Sequence, residues 1–538
     1  MVFARRSTTL LAAIIASCAM VLSLTACTSD NKTVVDGQTT VTSNSAGGVA
    51  VFTPSDGITL NQQMPLNKWA KLVPDLTKAL VDAGFKKGDI NHTTSDSLDK
   101  QSRAIQDFVV DHLSNNTTDD SGIAIAPDNM TLLVAPVVEA DASTRQYGDY
   151  VSQNLSTNDV TDEGATSDGE SSEDDSSNTE SDSTASDEQA QAVDRLVSSL
   201  KLAKESGMHV VLLGNSIEGY KPDAFVKFSD AQTIGKLQAE KMVSKLKLDK
   251  ASKDNPKYIE VLLPYTAMDE KGNANDSTFA QEAFRGIWQV LGSYYQKGVV
   301  ESPSGTLDGK STENDWQAVA YDAAKEGSTA KVLDKRLAKT DGQSTLTRID
   351  GIITMNDYIA SEVVKELDDL GYTGSAADIN PQITISGIVG NITGKKDLSR
   401  DAVPDPIKSP ENDNANDSSS SDDDADKDTS ASDKDRDSQW PLVTGYGAYV
   451  SNIPSIVNGK QWMTGMEDRQ TIATDIAQAC AKLNKDEALN SMPSIRNSEV
   501  GGVKKIPTIN EPLLAVSAGN LKSALIDPGY ISLADAGL

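Results

Sequence analysis

TDEGATSDGESSEDDSSNTESDSTASDEQ, residues 161–189, carries eleven acidic side chains and no lysine or arginine. Its only apolar side chains are Ala165 and Ala185, so it buries too little surface to offset the entropy of ordering and reads as a solvated, disordered segment. Its position decides the fold. Before it lies a buried-strand candidate, TLLVAPVV (131–138). After it come a helix-period run, AVDRLVSSLKLAKESG (192–207), and a second apolar strand, HVVLLG (209–214). Strand, helix and strand make a right-handed βαβ unit, which the acidic run interrupts rather than follows. Lengthening a loop from about 5 to about 50 residues adds only ~2 kcal/mol of closure entropy. The run is therefore an insertion within a lobe, not a domain boundary.

The same alternation extends outward. GGVAVF (47–52), a helix through Trp69 and LTKALVDAG (76–84), and SLDKQSRAIQDFVVDHL (97–113) precede the insertion. A second series follows: AFVKFS (224–229), a helix capped by Asp230, YIEVLLP (258–264), FAQEAFRGIWQVLGSYY (279–295) and GIITM (351–355). DYIASEVVKELDDLGY (357–372) puts Ile359, Val363, Leu367 and Leu370 on one stripe, with Gly371 placed to stop the helix. ITISGI (383–388), PLVTGYG (441–447) and the helix TIATDIAQACAKL (471–483), with Cys480 as a small apolar core residue, complete it. The prediction is an α/β protein of two Rossmann-like lobes, each a parallel sheet covered by helices on both faces.

A second acidic tract, 411–437, holds eleven acids against three bases, so the two tracts carry −11 and −8 of a net charge of −30. The remainder is only mildly acidic and offers no basic face to nucleic acid. Three histidines, His92, His112 and His209, stand apart from one another and from cysteine, so no metal site or catalytic triad is expected, and no cofactor or enzymatic activity. GNITGKK (390–396) has the wrong glycine spacing for a phosphate loop, and the acidic clusters lack the glycine and closing glutamate of an EF-hand loop. The N-terminus, MVFARRSTTLLAAIIASCAMVLSLTAC, has the charged start, apolar core and small-residue end of an export signal.

Its LTAC ending resembles the lipobox of bacterial lipoproteins, which implies that Cys27 becomes the lipidated first residue and anchors the chain outside the cytoplasm. From about residue 47 onward, the order of NKWAKLVPDLTKALVDAGF, SGMHVVLLGNSI, FVKFSDAQTIGKLQAEKM, AFRGIW, RIDGIITMNDYIASEVVKELDDLGY, PLVTGYGAYVSNIPSIVNGKQWMTG and VKKIPTINEPLLAVSAGNLKSALIDPGY resembles the type 1 periplasmic solute-binding proteins. The xylose and multiple-monosaccharide-binding branch is the nearest. The resemblance implies a signal peptide (1–26), a polar tether (27–46), an N-terminal lobe (47–230, with a disordered insertion at about 140–189) and a C-terminal lobe (231–466, with another at about 397–439). The chain would then return to the first lobe (467–500) and end in a hinge and tail (501–538). It further implies capture of a monosaccharide between the lobes and delivery to an ABC permease.

Carried over residue by residue, the resemblance implies ligand-binding roles for Asn356 and Asp357 after a strand, Lys68 and Trp69 in the first helix, Gln461 near the hinge, Asp276 in a polar loop and Trp316 in the second lobe. Helix capping is an open alternative for Asn356 and Asp357, as core packing is for Trp69 and Trp316. Two positions depart from the family pattern. Gly214–Asn215 stands where Asp-Arg is usual, and Tyr446–Gly447 where Gln-Asp is usual, so Asn215 and Tyr446 become the candidates there. Losing one anchoring cation and one carboxylate should cost a familiar sugar roughly 1.5–3 kcal/mol for each charge-assisted bond. A surface sensor or interaction lipoprotein on the same fold, its cleft degenerate, is the alternative expectation.

Overall fold

The computed structural model describes residues 32–35, 38–41, 46–55, 65–115, 125–138, 144–150, 152–156, 180–268, 275–323, 325–338, 346–376 and 440–538. Cys27, residues 161–179, ITISGI, GNITGKK and the tract at 411–437 lie outside them. The chain divides into two units, 1–45 and 46–538. In the first, Lys32–Val35 pairs antiparallel with Gln38–Val41.

The second unit holds the two expected parallel-dominated sheets. Its main strands are β1 (Gly48–Pro54), β2 (Ile90–Ser95), β3 (Met130–Val134), β4 (His209–Leu213), β5 (Ala224–Lys227), β6 (Lys257–Val261), β7 (Val300–Glu301), β8 (Gly351–Ile353), β9 (Leu442–Tyr446), β10 (Met463–Met466), β11 (Ile495–Val500), β12 (Val503–Asn510) and β13 (Leu514–Ser517). The longer helices are α1 (Trp69–Asp82), α2 (Leu98–Asn115), α3 (Glu180–Glu205), α4 (Ala231–Leu246), α5 (Thr278–Gln296), α6 (Ser328–Arg336), α7 (Asp357–Asp369) and α8 (Arg469–Leu483). One sheet runs β11-β12-β5-β4-β3-β1-β2 and the other β7-β6-β8-β9-β10-β13. Only the β11–β12 and β10–β13 pairings in these sheets are antiparallel.

Period-2 alternation explains why each sheet is sandwiched. In the N-terminal sheet, Val49, Val51, Leu133, Val211 and Leu213 join the cluster formed with α1 and α8. Their neighbours Ala50, Phe52, Leu132, Val210 and Leu212 join the opposite cluster, with α2 and α3. In the C-terminal sheet, Ile259 and Ile353 face α4 and α5, whereas Ile352 and Val443 face α6 and α7. A strand buried on both faces reads as a continuous apolar run, as these do.

Among the described residues, the lobes exchange the chain three times. Residues 228–230 lead from β5 to α4, residues 467–468 from β10 to α8, and residues 511–513 from β12 to β13. Helices α4 and α5 touch backbone to backbone through a matched pair of glycines. A Cβ on Gly286 would lie 2.0 Å from the Gln232 carbonyl oxygen, and one on Gly235 would lie 2.2 Å from that of Ala283. Among the described residues, no helix is long and apolar enough to cross a membrane.

Within the expected insertion of 140–189, two parts have definite structure. Helix α3 begins at Glu180, so the end of the acidic run extends it by more than two turns. Residues Thr144–Tyr147 form a 3-10 turn, and Asn154–Leu155 pairs with Ser216–Ile217. The N-terminal part of this segment forms the centre of the candidate site.

Candidate functional site

Both sheets have strand order 2-1-3-4-5 across their parallel strands: β2-β1-β3-β4-β5 in one and β7-β6-β8-β9-β10 in the other. Open α/β sheets bind ligands outside the carboxyl ends of strands, at the point where the order reverses. Here those points follow β3 in the first lobe and β8 in the second, and the structure brings them together. Asn356, three residues beyond β8, donates through Nδ2 to Gln146 Oε1 at 3.0 Å. Tyr449, which follows β9, donates its hydroxyl to the Gln146 carbonyl at 2.7 Å. Backbone strain collects at the same strand ends: Met355 and Ala448 are buried with φ of 69° and 49°, a region that costs non-glycine residues of order 1 kcal/mol or more.

Residues 146–150 fill the crevice between these ends. Tyr147 packs its ring in the C-terminal lobe cluster, 4.7 Å from Phe279 and 6.3 Å from Tyr446. Gly148 has φ of 98°, and a Cβ there would lie 2.6 Å from the Asn67 carbonyl oxygen, so only glycine passes. Asp149 accepts from Lys68 Nζ at 2.7 Å and from the Trp69 backbone N–H at 3.1 Å. Tyr150 stacks on Phe228 at 4.8 Å and meets Trp69 edge-on at 5.0 Å. Asn67 is buried beside this segment, and its Nδ2 has no hydrogen-bond partner among the described residues.

The sequence candidates separate into two groups. Lys68, Trp69, Asn356 and Tyr446 stand around residues 146–150, and Trp69 is also part of the N-terminal core. Asn356 caps α7 as well, accepting from the Ile359 N–H at 2.9 Å. Asp357 is buried and points into its own lobe. Its carboxylate accepts from Gln461 Nε2 at 2.7 Å, Thr464 Oγ1 at 2.8 Å and the Tyr449 N–H at 2.9 Å. Burial pushes its pKa up to about 6 despite these donors. Gln461 is equally committed, its Oε1 accepting from Asn452 Nδ2 at 2.9 Å. Asn215 ties two loops, accepting from the Gln153 N–H at 2.9 Å and donating to the Pro136 carbonyl at 2.8 Å. Asp276 is exposed and caps the start of α5 through Thr278. Trp316 packs edge-on against Tyr265 at 5.1 Å.

Sequence reading missed Gln146, Tyr147, Asp149 and Tyr150, because a short polar segment has no periodicity. The signal present was two tyrosines around a glycine beside an otherwise Asp- and Ser-rich run. It also missed Glu467, which sits in the second crossing. Glu467 is buried and accepts through Oε1 from the Ser229 N–H of the first crossing at 2.6 Å and from the Tyr446 hydroxyl at 3.3 Å. One carboxylate thus clasps two of the crossings.

Burial raises the Glu467 pKa from 4.5 to about 7. A carboxyl raised by folding is protonated more readily in the folded chain than in the unfolded one. Stability therefore falls as pH rises from about 4.5 to about 7, by about 3 kcal/mol from this group alone. Glu467→Gln should remove most of that slope and raise stability at pH 8, as read from urea denaturation at several pH values. Parallel slopes for the two proteins would show that Glu467 ionises freely.

No family model and no curated protein matches the sequence. Among solved structures, the chain is similar to an ABC transporter solute-binding protein from Clostridium phytofermentans with bound β-D-glucose, at 17% identity over 91% of this chain and 99% of that one, TM-score 0.44. It is likewise similar to a carbohydrate transporter solute-binding protein from Chloroflexus aurantiacus in complex with D-glucose, at 18% identity over 92% and 98%, TM-score 0.43. A sugar ABC transporter from Actinomyces odontolyticus aligns at 10% identity over 89% and 97%, TM-score 0.45.

Proposed function

We propose that the chain is a lipid-anchored, extracytoplasmic solute-binding protein of an ABC importer, which captures a monosaccharide or similar small polar solute between its lobes and delivers it to the permease. The observation that carries this reading is the convergence of both sheet switch points on one crevice, with Asn356 opposite Gln146. Aromatic faces at Trp69 and Phe228 and the cation of Lys68 are the groups that grip a sugar ring and its hydroxyls. The lipobox-like Leu24–Cys27 supports the anchor.

Calorimetry on the chain lacking its first 27 residues, with a panel of monosaccharides and nucleosides, tests the capture step. Saturable binding is expected, and none at millimolar concentration would sink it. Cys27→Ser should move the protein from the membrane to the soluble fraction. One observation favours a second reading, a sensor or interaction protein on the same fold: the crevice is filled by residues 146–150. Copurification of the chain with permease subunits would count against that second reading.

A further inference from the structure

The segment 146–150 is held as a ligand would be held. Its backbone lies against the chain at Asn67, with the Asp149 N–H donating to the Asn67 carbonyl at 2.8 Å. Its side chains reach both lobes. The Tyr147 ring enters the C-terminal cluster, and the Tyr150 ring lies flat on Phe228 and edge-on to Trp69. Between the rings, the Asp149 carboxylate sits against a cation and a helix N-terminus together, Lys68 Nζ at 2.7 Å and the Trp69 N–H at 3.1 Å. These two donors on one planar group form a charge-assisted anion seat.

A second observation concerns the donor left unmatched beside this seat. Asn67, nearly fully buried where the segment meets the second crossing, keeps its Nδ2 without a hydrogen-bond partner among the described residues. A buried amide donor left unmatched costs of order 1–3 kcal/mol, so an occupant with one more acceptor would be favoured.

We infer that residues 146–150 are a tethered, removable occupant of the crevice, and that Asp149 marks an anion-accepting subsite formed by Lys68 and the start of α1. The inference rests on reading the crevice as a solute site. A solute that replaces the segment offers a stacking face to Phe228 and Trp69 and a carboxylate to Lys68, as an acidic sugar does. Linking the occupant to the chain gives it a high effective concentration, so a free solute competes at a disadvantage.

The test compares the wild-type chain with Tyr147→Ser/Asp149→Asn, using hydrogen exchange without ligand and calorimetry with D-glucuronate and D-glucose. Amides of 144–150 should exchange at least ten-fold faster in the variant, with both sheets unchanged. The variant should bind D-glucuronate at least ten-fold tighter than the wild type does, and tighter than it binds D-glucose. Unchanged exchange, or faster exchange spread through both lobes, would overturn the inference by making the segment fixed core. Saturable sugar binding by both proteins, no tighter in the variant, would overturn it too, and a variant preferring glucose would remove the anion subsite. If neither protein binds either sugar while exchange rises only at 144–150, the solute reading of the crevice fails and the removable occupant stands.

Discussion

Arg336→Ala should destabilise the protein by about 3–5 kcal/mol, because it strands a carboxylate in the C-terminal lobe. Glu260, in β6, is fully buried and Arg336, at the end of α6, is nearly so. The guanidinium lies 3.4 Å from Glu260 Oε2 and donates to the carbonyls of Val261 at 2.5 Å and Val319 at 2.9 Å. Removing it leaves the Ser304 N–H, at 2.8 Å, as the remaining donor to Glu260. Burial raises the Glu260 pKa and lowers that of Arg336, so desolvation outweighs their attraction for both partners. A hydrophobic replacement of the pair, Glu260→Leu/Arg336→Met, should recover most of the loss. Part of the Arg336→Ala deficit should also vanish at low pH, where Glu260 takes up a proton and no longer needs a counter-charge. Urea denaturation of Glu260→Leu, Arg336→Met and the double variant measures the coupling. A loss below about 1 kcal/mol for Arg336→Ala would show that water reaches the pair.

Trp69→Ala should cost about 3–5 kcal/mol, the range for deleting a large buried aromatic side chain. The ring is buried at the first position of α1 and meets Tyr150 at 5.0 Å and Phe228 at 5.7 Å, both edge-on. Leu72 and Leu76 continue the same apolar face into the core. Trp69→Phe keeps an aromatic edge and should lose less than half as much. Thermal and urea unfolding decide the matter: a Trp69→Ala protein as stable as wild type would show that the ring serves the crevice alone.

The architecture was legible because its determinants are local and repetitive. Continuous apolar runs marked the strands, a helical stripe marked α7, and Asp230 caps α4 as expected, accepting from the Thr233 N–H at 2.7 Å. Gly371 adopts the left-handed φ of 91° anticipated for a residue that stops a helix. The site was less legible, since a polar residue in a sequence does not declare which way it faces. Asp357 and Gln461 have the composition of sugar ligands, yet they spend their hydrogen bonds on each other and on Thr464, Tyr449 and Asn452. Tyr147 and Asp149 lie beside a run that composition marks as solvated, and only tertiary contacts with Phe279 and Lys68 give them a place.

Asn484, at the end of α8, has an implication for how the molecule assembles. Its amide donates to the carbonyls of Ala46 and Gly48, and its oxygen accepts from Thr131, a bond that spans 353 residues of chain. The five parallel strands of the N-terminal sheet come from residues 48–227, but α8, from residues 469–483, covers one of its faces. The parallel strands of the C-terminal sheet and the helices α4 to α7 that cover it, by contrast, all come from residues 231–466. Contacts between near neighbours form early, while those that must close a long loop form late. The C-terminal lobe should therefore be the first to acquire protected amides during refolding. The N-terminal sheet should close last, when the far end of the chain returns to fasten its beginning.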